Sequence, residues 1–260
     1  HLYEASPTLI DLVIQDNTCA SSVCTGVGLY AELDEGPAMY DVVIQDNTCE
    51  ATLNCYGAGA HLSYVTDAVL ERVRVVGNTN TADGYAYAGG LSIRNYSTVT
   101  MDNVEVLDNV SVGEDIAVGG LYLYFQNTVT ARNLIVAGNT ATSNDRVFGG
   151  GVRIYYENQV ALENSVVAYN DNNAAEQTEG SGILLYYYDE LTLSHSVVAG
   201  NTDSGTTSGT HPGGISVWTG CSVDAQYSNV YDNDIADYAG ATDPVGTDGN
   251  ISVDPLFADV

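Results

Sequence analysis

Aromatic side chains at a fixed interval are the residues of this chain best suited to binding chemistry. Leu121 and Leu123 have the alternation of inward strand positions, so Tyr122 between them is expected to point outward. The pattern recurs 31 or 32 residues further on, and the predicted stripe consists of Tyr122, Tyr124, Tyr155, Tyr156, Tyr186, Tyr187 and Trp218. Exposed rings of this kind form a flat surface for sugar rings or for another protein, or they stack to support one another.

Nucleophilic catalysis is not predicted. Ser165, Ser196 and Ser228 occupy equivalent positions, and a serine nucleophile needs an adjacent base. His195 is next to Ser196 in the chain, so it points to the opposite face of the strand. We expect the three hydroxyls to bond one another along the molecule instead. The four histidines fall at unrelated positions and are not expected to converge: His1, His61, His195 and His211.

Four of the five cysteines lie in equivalent loops of the first two repeats. The preferred pairing is within each loop, Cys19–Cys24 and Cys49–Cys55. Pairing between repeats, Cys19–Cys49, is also allowed, because stacked Cα atoms about 4.8 Å apart lie within the disulfide range. No histidine lies nearby at zinc spacing, so no metal site is predicted. Paired cysteines indicate an oxidising compartment, and the protein is expected to be extracellular or at a cell surface.

The charge of the chain limits its partners. It has 34 acidic residues against six arginines and no lysine, which gives a net charge of −28. Nucleic acid and anionic membrane surfaces both need a basic footprint, so neither is an expected partner. No apolar run is long enough for direct membrane insertion. No cofactor is required by any motif, although calcium is a possible ligand that would screen the repulsion between neighbouring carboxylates.

These residues are positioned by a repeat that spans the chain. An asparagine closes a similar phrase, such as VIQDN, VLDN or VAGN, every 30 to 32 residues: Asn17, Asn47, Asn78, Asn109, Asn139, Asn170, Asn201 and Asn233. A glycine column keeps step with it: Gly28, Gly59, Gly90, Gly120, Gly151, Gly182 and Gly214. Fixed-period similarity indicates a solenoid. Both columns are interpreted as structural, the asparagines bonding to their copies and tolerating a left-handed corner, the glycines allowing positive φ or close approach.

One repeat holds three short alternating strands, so the predicted fold is all-β, a right-handed parallel β-helix of about eight coils of ~31 residues. The 10 or 11 residues between asparagine and glycine are polar and are expected to form a loop. A single solenoid domain over residues 1–260 is expected. Both ends are expected to be cut in mid-coil, because the alignment begins just after a glycine corner and ISVDPLFADV carries no polar cap.

The motifs GGLSI, GGLYL, GGVRI and GGISV, with VLDN, VAGN and VYDN, resemble the repeats of chlamydial polymorphic outer-membrane proteins and of bacterial secreted right-handed β-helix repeat proteins. The closing DPLFAD is also similar to the end of the helix in that bacterial class. The resemblance implies the β-helix fold over essentially the whole chain. It implies no single function, because the class contains adhesins, structural surface proteins and carbohydrate-active enzymes. The chlamydial repeats favour Phe where this chain has Val.

The resemblance extends to the pectate-lyase-like fold class, whose enzymes define what catalysis would need. Lyases of this fold use calcium with a basic residue and bind polyanions, for which a −28 chain without lysine is poorly suited. Asn201-Thr202-Asp203 matches one polygalacturonase motif in letters, but the partner motifs are missing. The sequence therefore predicts a non-catalytic, extracellular structural or adhesive β-helix of a bacterial surface. Its expected partners are flanking segments or other copies of itself, joined end to end into a filament. The alternative is a carbohydrate-active or glycan-binding protein that uses the Tyr/Trp stripe.

Overall fold

The computed structural model describes residues 1–205 and 213–257, and within them the chain is an all-β parallel solenoid. Each strand pairs in parallel with the equivalent strand one coil before and one coil after, as in the register Leu91↔Leu121 and Leu121↔Val152. The predicted fold class is confirmed. The described strands form three sheets, which we call A, B and C in the order in which a coil visits them.

Sheet A carries nine of the described strands: Leu2–Tyr3, Leu29–Asp34, Ala60–Val65, Leu91–Arg94, Leu121–Tyr124, Val152–Tyr155, Ile183–Tyr186, Ile215–Val217 and Tyr238–Ala239. Sheet B is bent into two arms and carries fourteen: Thr8–Gln15, Ala38–Gln45, Ala68–Glu71, Arg74–Val76, Thr98–Asp102, Glu105–Leu107, Thr128–Arg132, Ile135–Ala137, Gln159–Glu163, Val166–Ala168, Glu190–Ser194, Val197–Ala199, Ser222–Gln226 and Asn229–Tyr231.

Sheet C is also bent into two arms, and eleven of its strands are described: Thr18–Thr25, Thr48–Tyr56, Thr79–Ala82, Tyr85–Tyr87, Val110–Gly113, Ile116–Val118, Thr140–Ser143, Arg146–Phe148, Asp171–Ala174, Gln177–Glu179 and Thr202–Asp203. These strands occupy the stretch between asparagine and glycine, so the expectation of a loop there is wrong. The two arms form a second compartment, which we call the lobe. Its core is built of small residues such as Ala117, Ala141 and Ala174, which a polar average composition conceals.

The disulfides lie inside the lobe and join its two arms. Cys19 pairs with Cys24 and Cys49 with Cys55, at Cα–Cα separations of 6.0 and 6.3 Å, so the pairing within each loop is the one formed. In the next coil Asn80 and Ala86 stand in register with Cys49 and Cys55. Disulfides therefore hold the two arms of the lobe together in the first two coils, and packed small side chains hold them together in the later coils.

The main core lies between sheet A and the two arms of sheet B. Aliphatic residues at the inward positions of the alternating strands are buried there, including Val106, Val136, Val129 and Leu121. Apolar side chains from successive coils thus form one continuous core that a single coil could not bury. The first coil differs, since Leu12 is 39% exposed whereas its partner in register, Val42, is fully buried.

The asparagine ladder lies at the boundary between the main core and the lobe, which we call the neck. Asn109 is fully buried; its Oδ1 accepts from the backbone N–H and the side-chain amide of Asn78, and its Nδ2 donates to the Val75 carbonyl and to Oδ1 of Asn139. The glycine column faces this ladder. A Cβ on Gly90 would lie 2.9 Å from Nδ2 of Asn109, and Gly90 does not have positive φ. Close approach, and not left-handed backbone, is what these glycines provide.

The left-handed residue of that corner is the one before each ladder asparagine: Asp16, Asp46, Gly77, Asp108, Gly138, Tyr169, Gly200 and Asp232. The expectation that the ladder asparagines themselves take this conformation is therefore wrong. Their carboxamides are used between coils, and the residue ahead of them makes the turn, for which Asp and Gly are well suited.

A second polar ladder runs along the corner between sheets A and B, and the sequence interpretation missed it. Its members are Ser97, Asn127, Asn158, Asp189 and Cys221, all partly or fully buried. Asn158 donates its backbone N–H and its Nδ2 to Oδ1 of Asp189, each at 2.8 Å. Burial raises the pKa of Asp189 to about 6, although the hydrogen bonds from Asn158 and Tyr186 act in the opposite direction. The change of residue type from coil to coil hid this column.

The serine column is buried as expected, but its bonding differs from the prediction. Oγ of Ser196 accepts the backbone N–H of Ser165 at 3.1 Å and lies 2.9 Å from the Ser194 carbonyl, to which it donates. Ser228 repeats the pattern with Ser196 and Gln226. The hydroxyls therefore satisfy backbone groups at the bend of sheet B rather than one another.

Candidate binding face

The aromatic residues form a surface of four parallel columns on and beside the outer side of sheet A. The floor column contains His61, Ser92, Tyr122, Arg153 and Leu184. The rim column, two residues further along each strand, contains Arg94, Tyr124, Tyr155, Tyr186 and Trp218. The corner column comprises the rings at the two positions that follow the rim residue: Phe125, Tyr156 and Tyr187 at the first position, and Tyr96 and Tyr188 at the second. The lobe column contains Tyr56, Tyr87, Val118, Phe148 and Glu179. Together they are the aromatic face.

The predicted exposure of Tyr122 is wrong. Tyr122 does point away from the main core, but it is only 1% exposed, because the lobe folds back over this side of sheet A. Its ring stacks on Tyr87 of the lobe at a centroid distance of 5.2 Å and lies 5.8 Å from Tyr124. Burial raises the pKa of the Tyr122 hydroxyl. Strand alternation gives the direction of a side chain, and only the fold of the lobe decides whether that side is covered.

The rim and corner columns carry the exposed part of the predicted stripe. Tyr124, Tyr155, Tyr186 and Trp218 are half-buried, with centroids 5.5, 5.6 and 4.6 Å apart along the column. Tyr156 and Tyr187 are exposed at the corner, and Phe125 stacks on Tyr156 at 5.1 Å. Phe125 and Tyr188 lie beside the predicted stripe, and the sequence interpretation missed Tyr96, because Asn95 occupies the first corner position of that coil.

Most corner residues of this face have left-handed backbone. At the two positions that follow the rim position of each described coil, six of the eleven non-glycine positive-φ residues are Tyr or Phe: Tyr64, Tyr96, Phe125, Tyr156, Tyr187 and Tyr188. At the other two corners of the described coils, the bend of sheet B and the turn before the ladder asparagine, two of the thirteen non-glycine positive-φ residues are Tyr or Phe, namely Tyr169 and Tyr227. Bulky residues are disfavoured in this conformation by roughly 1–2 kcal/mol each. Their concentration at one corner therefore indicates that the rings are retained for a reason other than the turn.

Two arginines are embedded among the rings. The guanidinium carbon of Arg94 lies 4.4 Å from the Tyr124 centroid and 4.7 Å from that of Tyr56. That of Arg153 lies 4.8 Å from Tyr155, 5.0 Å from Phe148 and 5.3 Å from Tyr122. Rings at these distances stabilise a cation through their quadrupoles. The sequence interpretation used the arginines only as a count.

At its N-terminal end the face continues into a histidine and tyrosine cluster. His1 stacks on Tyr30 at 4.4 Å, and Tyr30 contacts His61 at 5.3 Å, so two of the histidines lie on one column although no convergence was expected. Burial, together with the charge of Arg94, lowers the pKa of His61 to about 3, so its ring is neutral at physiological pH. His195 is elsewhere, stacked on Tyr227. His211 lies outside the described residues.

Other kinds of site receive no support in the described parts of the chain. There, no group of three or more His, Cys, Asp or Glu side chains is arranged to hold a metal ion. In the same ranges no helix has the length and apolarity needed to cross a bilayer. A depression of about 670 Å³ is lined by polar and small residues in the lobe strands of the first three coils, such as Ser21, Glu50 and Thr81.

Comparison with known proteins agrees with this architecture. The profile of the right-handed β-helix region family matches residues 3–174, which is most of the chain, and the chain belongs to that family. No curated protein and no solved structure matches it. The family establishes a right-handed β-helix, and function has to be argued from the faces of this particular solenoid.

Proposed function

We propose that this chain is a non-catalytic, extracellular structural and adhesive β-helix of a bacterial surface, and that it binds its partner through the aromatic face. The observation that carries the proposal is the corner column, where rings occupy left-handed positions that Asp, Asn and Gly fill at most places on the other two corners. Strained residues that persist in this way concentrate at functional sites. The repeats' resemblance to chlamydial surface proteins accords with such a role.

A glycan is the ligand class that the geometry favours. The rings of the rim column recur on successive coils with centroids 4.6 to 5.6 Å apart, and with the corner column they give a long, continuous aromatic platform. Sugar rings stack on such platforms through their apolar faces, while tyrosine hydroxyls remain available to bond sugar hydroxyls. This is the glycan-binding alternative of the sequence interpretation, here combined with the adhesive role.

An extracellular location is supported by the disulfides, since Cys19–Cys24 and Cys49–Cys55 both persist only in an oxidising compartment.

End-to-end association is a further part of the proposal. Leu12 of the first described coil is exposed, and a further coil stacked on it, from another copy or from a neighbouring segment, would bury it as Val42 is buried in the second coil. Light scattering of the purified chain at high micromolar concentration checks this, because a stable monodisperse monomer would contradict it.

The aromatic face is tested by substitutions that relieve the backbone while removing the ring. Tyr156→Asn and Tyr187→Asn place a residue that tolerates left-handed φ at exposed corner positions. We expect the double variant to keep or slightly raise its melting temperature and to lose binding to immobilised cellulose, chitin, xylan or polygalacturonate, whichever the parent chain binds.

The matched control is Tyr169→Asn with Tyr227→Asn, two exposed tyrosines with the same backbone conformation on the other corners. These variants should bind as the parent does. The proposal fails if the parent binds none of the glycans, or if the corner-column variant binds them normally. Depolymerisation assays with product analysis separate adhesion from catalysis, since released oligosaccharides would show an enzyme.

A further inference from the structure

We infer that the aromatic face binds an anionic saccharide, through the guanidinium groups of Arg94 and Arg153. This inference rests on the proposed function, and it names the chemical group that the face selects: a carboxylate or a sulfate carried by a sugar that stacks on the rim column. The observation behind it is the state of these two arginines, which differs from that of most of the chain's other cations.

The chain has six arginines, and carboxylates are abundant. Arg72 pairs with Asp41 and Glu71, Arg74 pairs with Glu105 at 2.6 Å, and Arg146 pairs with Asp145 at 3.0 Å. Within residues 1–205 and 213–257, neither Arg94 nor Arg153 has a carboxylate within salt-bridge distance. In a chain with 34 acidic residues, two cations surrounded by rings instead of acids are a specific arrangement.

Of the two arginines, Arg153 is the more deeply buried. It is 5% exposed, and neither its Nε nor its Nη1 has a hydrogen-bond acceptor among the described residues. The Nε of Arg94 also has no hydrogen-bond acceptor among the described residues. Buried donors of a charged group are normally satisfied, and cation–π contacts stabilise the charge without accepting these hydrogen bonds. A guanidinium in this state is complementary to a planar or tetrahedral anion, which accepts two of its N–H groups at once.

The placement fits a linear ligand along the solenoid axis. Both guanidinium carbons lie beside the Tyr122 ring, at 5.8 and 5.3 Å from its centroid, and their strands are two coils apart, roughly 10 Å. Arg94 is half-buried on the rim, so it meets a ligand directly, whereas Arg153 lies against Phe148 and Tyr155 and is almost fully covered. A saccharide chain lying along the rim would therefore pass both cations while its rings stack on tyrosines.

The net charge of −28 opposes the approach of any anion, and this effect must be weighed. Exposed charges further away than a Debye length, about 8 Å at physiological salt, are largely screened. A guanidinium that is shielded from water by rings is screened much less, so its attraction at contact exceeds the remote repulsion. We therefore predict that an anionic ligand associates with the chain slowly and with a dependence on salt. The chain should still prefer the charged ligand to its neutral counterpart.

The experiment compares matched ligands at physiological salt. Oligogalacturonate and its full methyl ester share one backbone and differ in charge, and dextran sulfate and dextran form a second pair. Titration calorimetry of the parent chain should give affinity for at least one charged member about tenfold or more above its neutral partner, the effect of one charge-assisted hydrogen bond. Which pair responds distinguishes carboxylate from sulfate.

Three variants complete the test, each with the same change of net charge. Arg94→Gln and Arg153→Gln should each reduce the preference for the charged ligand, while binding of the neutral member is retained. Arg132→Gln, an exposed arginine on sheet B, is the control and should leave the preference intact. Circular dichroism verifies folding, and the partly exposed Arg94 keeps the test decisive if Arg153→Gln fails to fold.

The outcomes separate this inference from the proposed function. Equal binding of charged and neutral partners, lost in the Tyr156→Asn and Tyr187→Asn variant, would overturn the inference and leave the adhesive aromatic face standing. A preference that survives both Arg94→Gln and Arg153→Gln would also overturn it. Binding of no ligand at all would remove both.

Discussion

At the scale of single residues, the fold depends on polar side chains that are buried and fully used. Asn109 makes hydrogen bonds to the coil before it and to the coil after it from a position with no solvent exposure. Asp189 occupies the same kind of position in the second ladder, but as an acid. The two residues illustrate opposite situations, because a carboxamide satisfies donors and acceptors together, whereas a carboxylate only accepts and loses hydration when it is buried.

Asn109→Ala should destabilise the solenoid strongly, because it leaves the Asn78 backbone N–H and the Val75 carbonyl without their partners in a buried neck. Each unsatisfied group costs about 1–3 kcal/mol, so the free energy of unfolding should fall by several kcal/mol. Chemical denaturation measures this change. Asn144→Ala, at an exposed asparagine of the lobe, is the control and should shift stability by less than about 0.5 kcal/mol. Similar losses in the two variants would contradict the structural role of the ladder.

Asp189→Asn should change how stability depends on pH. The pKa of Asp189 is raised to about 6 in the fold, from an ordinary value of about 3.9. Between these values the folded chain keeps a proton that the unfolded chain has released, so stability falls as pH rises through this window. The variant lacks the ionised form, and it should match the parent near pH 4 and exceed it at pH 7.5 by on the order of 2 kcal/mol.

Thermal unfolding across pH 4 to 8 tests this prediction, with Asp224→Asn as an exposed control expected to leave the pH profile unchanged. A variant that is less stable than its parent at pH 7.5 would show that the N–H groups around Asp189 favour the carboxylate more than burial disfavours it.

At the scale of strands and corners, the coil is a main compartment joined to a lobe through a neck of asparagine against glycine. The lobe has little apolar volume, and its arms are held together by two disulfides in the first two coils and by small side chains afterwards. The lobe also covers the outer side of sheet A. It therefore buries the residues of the floor column, which would otherwise face solvent. The aromatic face therefore depends on the lobe.

Replacement of Cys49 by Asn and Cys55 by Ala, the residue pair of the next coil, should preserve the fold with reduced stability. A cross-link over six residues contributes about 2 kcal/mol by restricting the unfolded chain. We expect a lower melting temperature with a retained circular dichroism spectrum, and a smaller further loss on adding a reducing agent than in the parent. Unfolding of the double variant would mean that the second coil cannot use the small-residue packing of later coils.

At the scale of the whole molecule, charge is the feature that sets the conditions for stability. Equivalent acids stack on neighbouring coils, such as Asp16 and Asp46, which share a corner at the coil spacing. Because separations of this size are shorter than the Debye length, repulsion accumulates along the rod. The fold withstands it through a continuous apolar core and two ladders of buried hydrogen bonds.

The melting temperature should therefore rise with sodium chloride between 10 and 500 mM, a range over which the Debye length shrinks from about 30 Å to a few Å. Millimolar calcium should raise it further if stacked carboxylates chelate the ion, with magnesium at equal ionic strength as the control. A melting temperature indifferent to salt would show that the acids are too dispersed to interact, and it would remove the reason for expecting calcium.

The sequence by itself determined the solenoid and the inward strand positions, because both repeat at a fixed interval. It favoured disulfides within each loop but left Cys19–Cys49 open, and only the structure decided between them. Position in one coil fixes position in the next, so Val106 and Val136 had to stack once the period was recognised. Only the tertiary structure decided which side chains are covered by another part of the molecule. Tyr122 points outward as alternation requires, yet the lobe buries it, and the lobe's own strands were hidden by their small residues. Arg94 and Arg153 acquired meaning only from the rings around them, since a contact between residues of different coils and different columns leaves no periodic signal in the sequence.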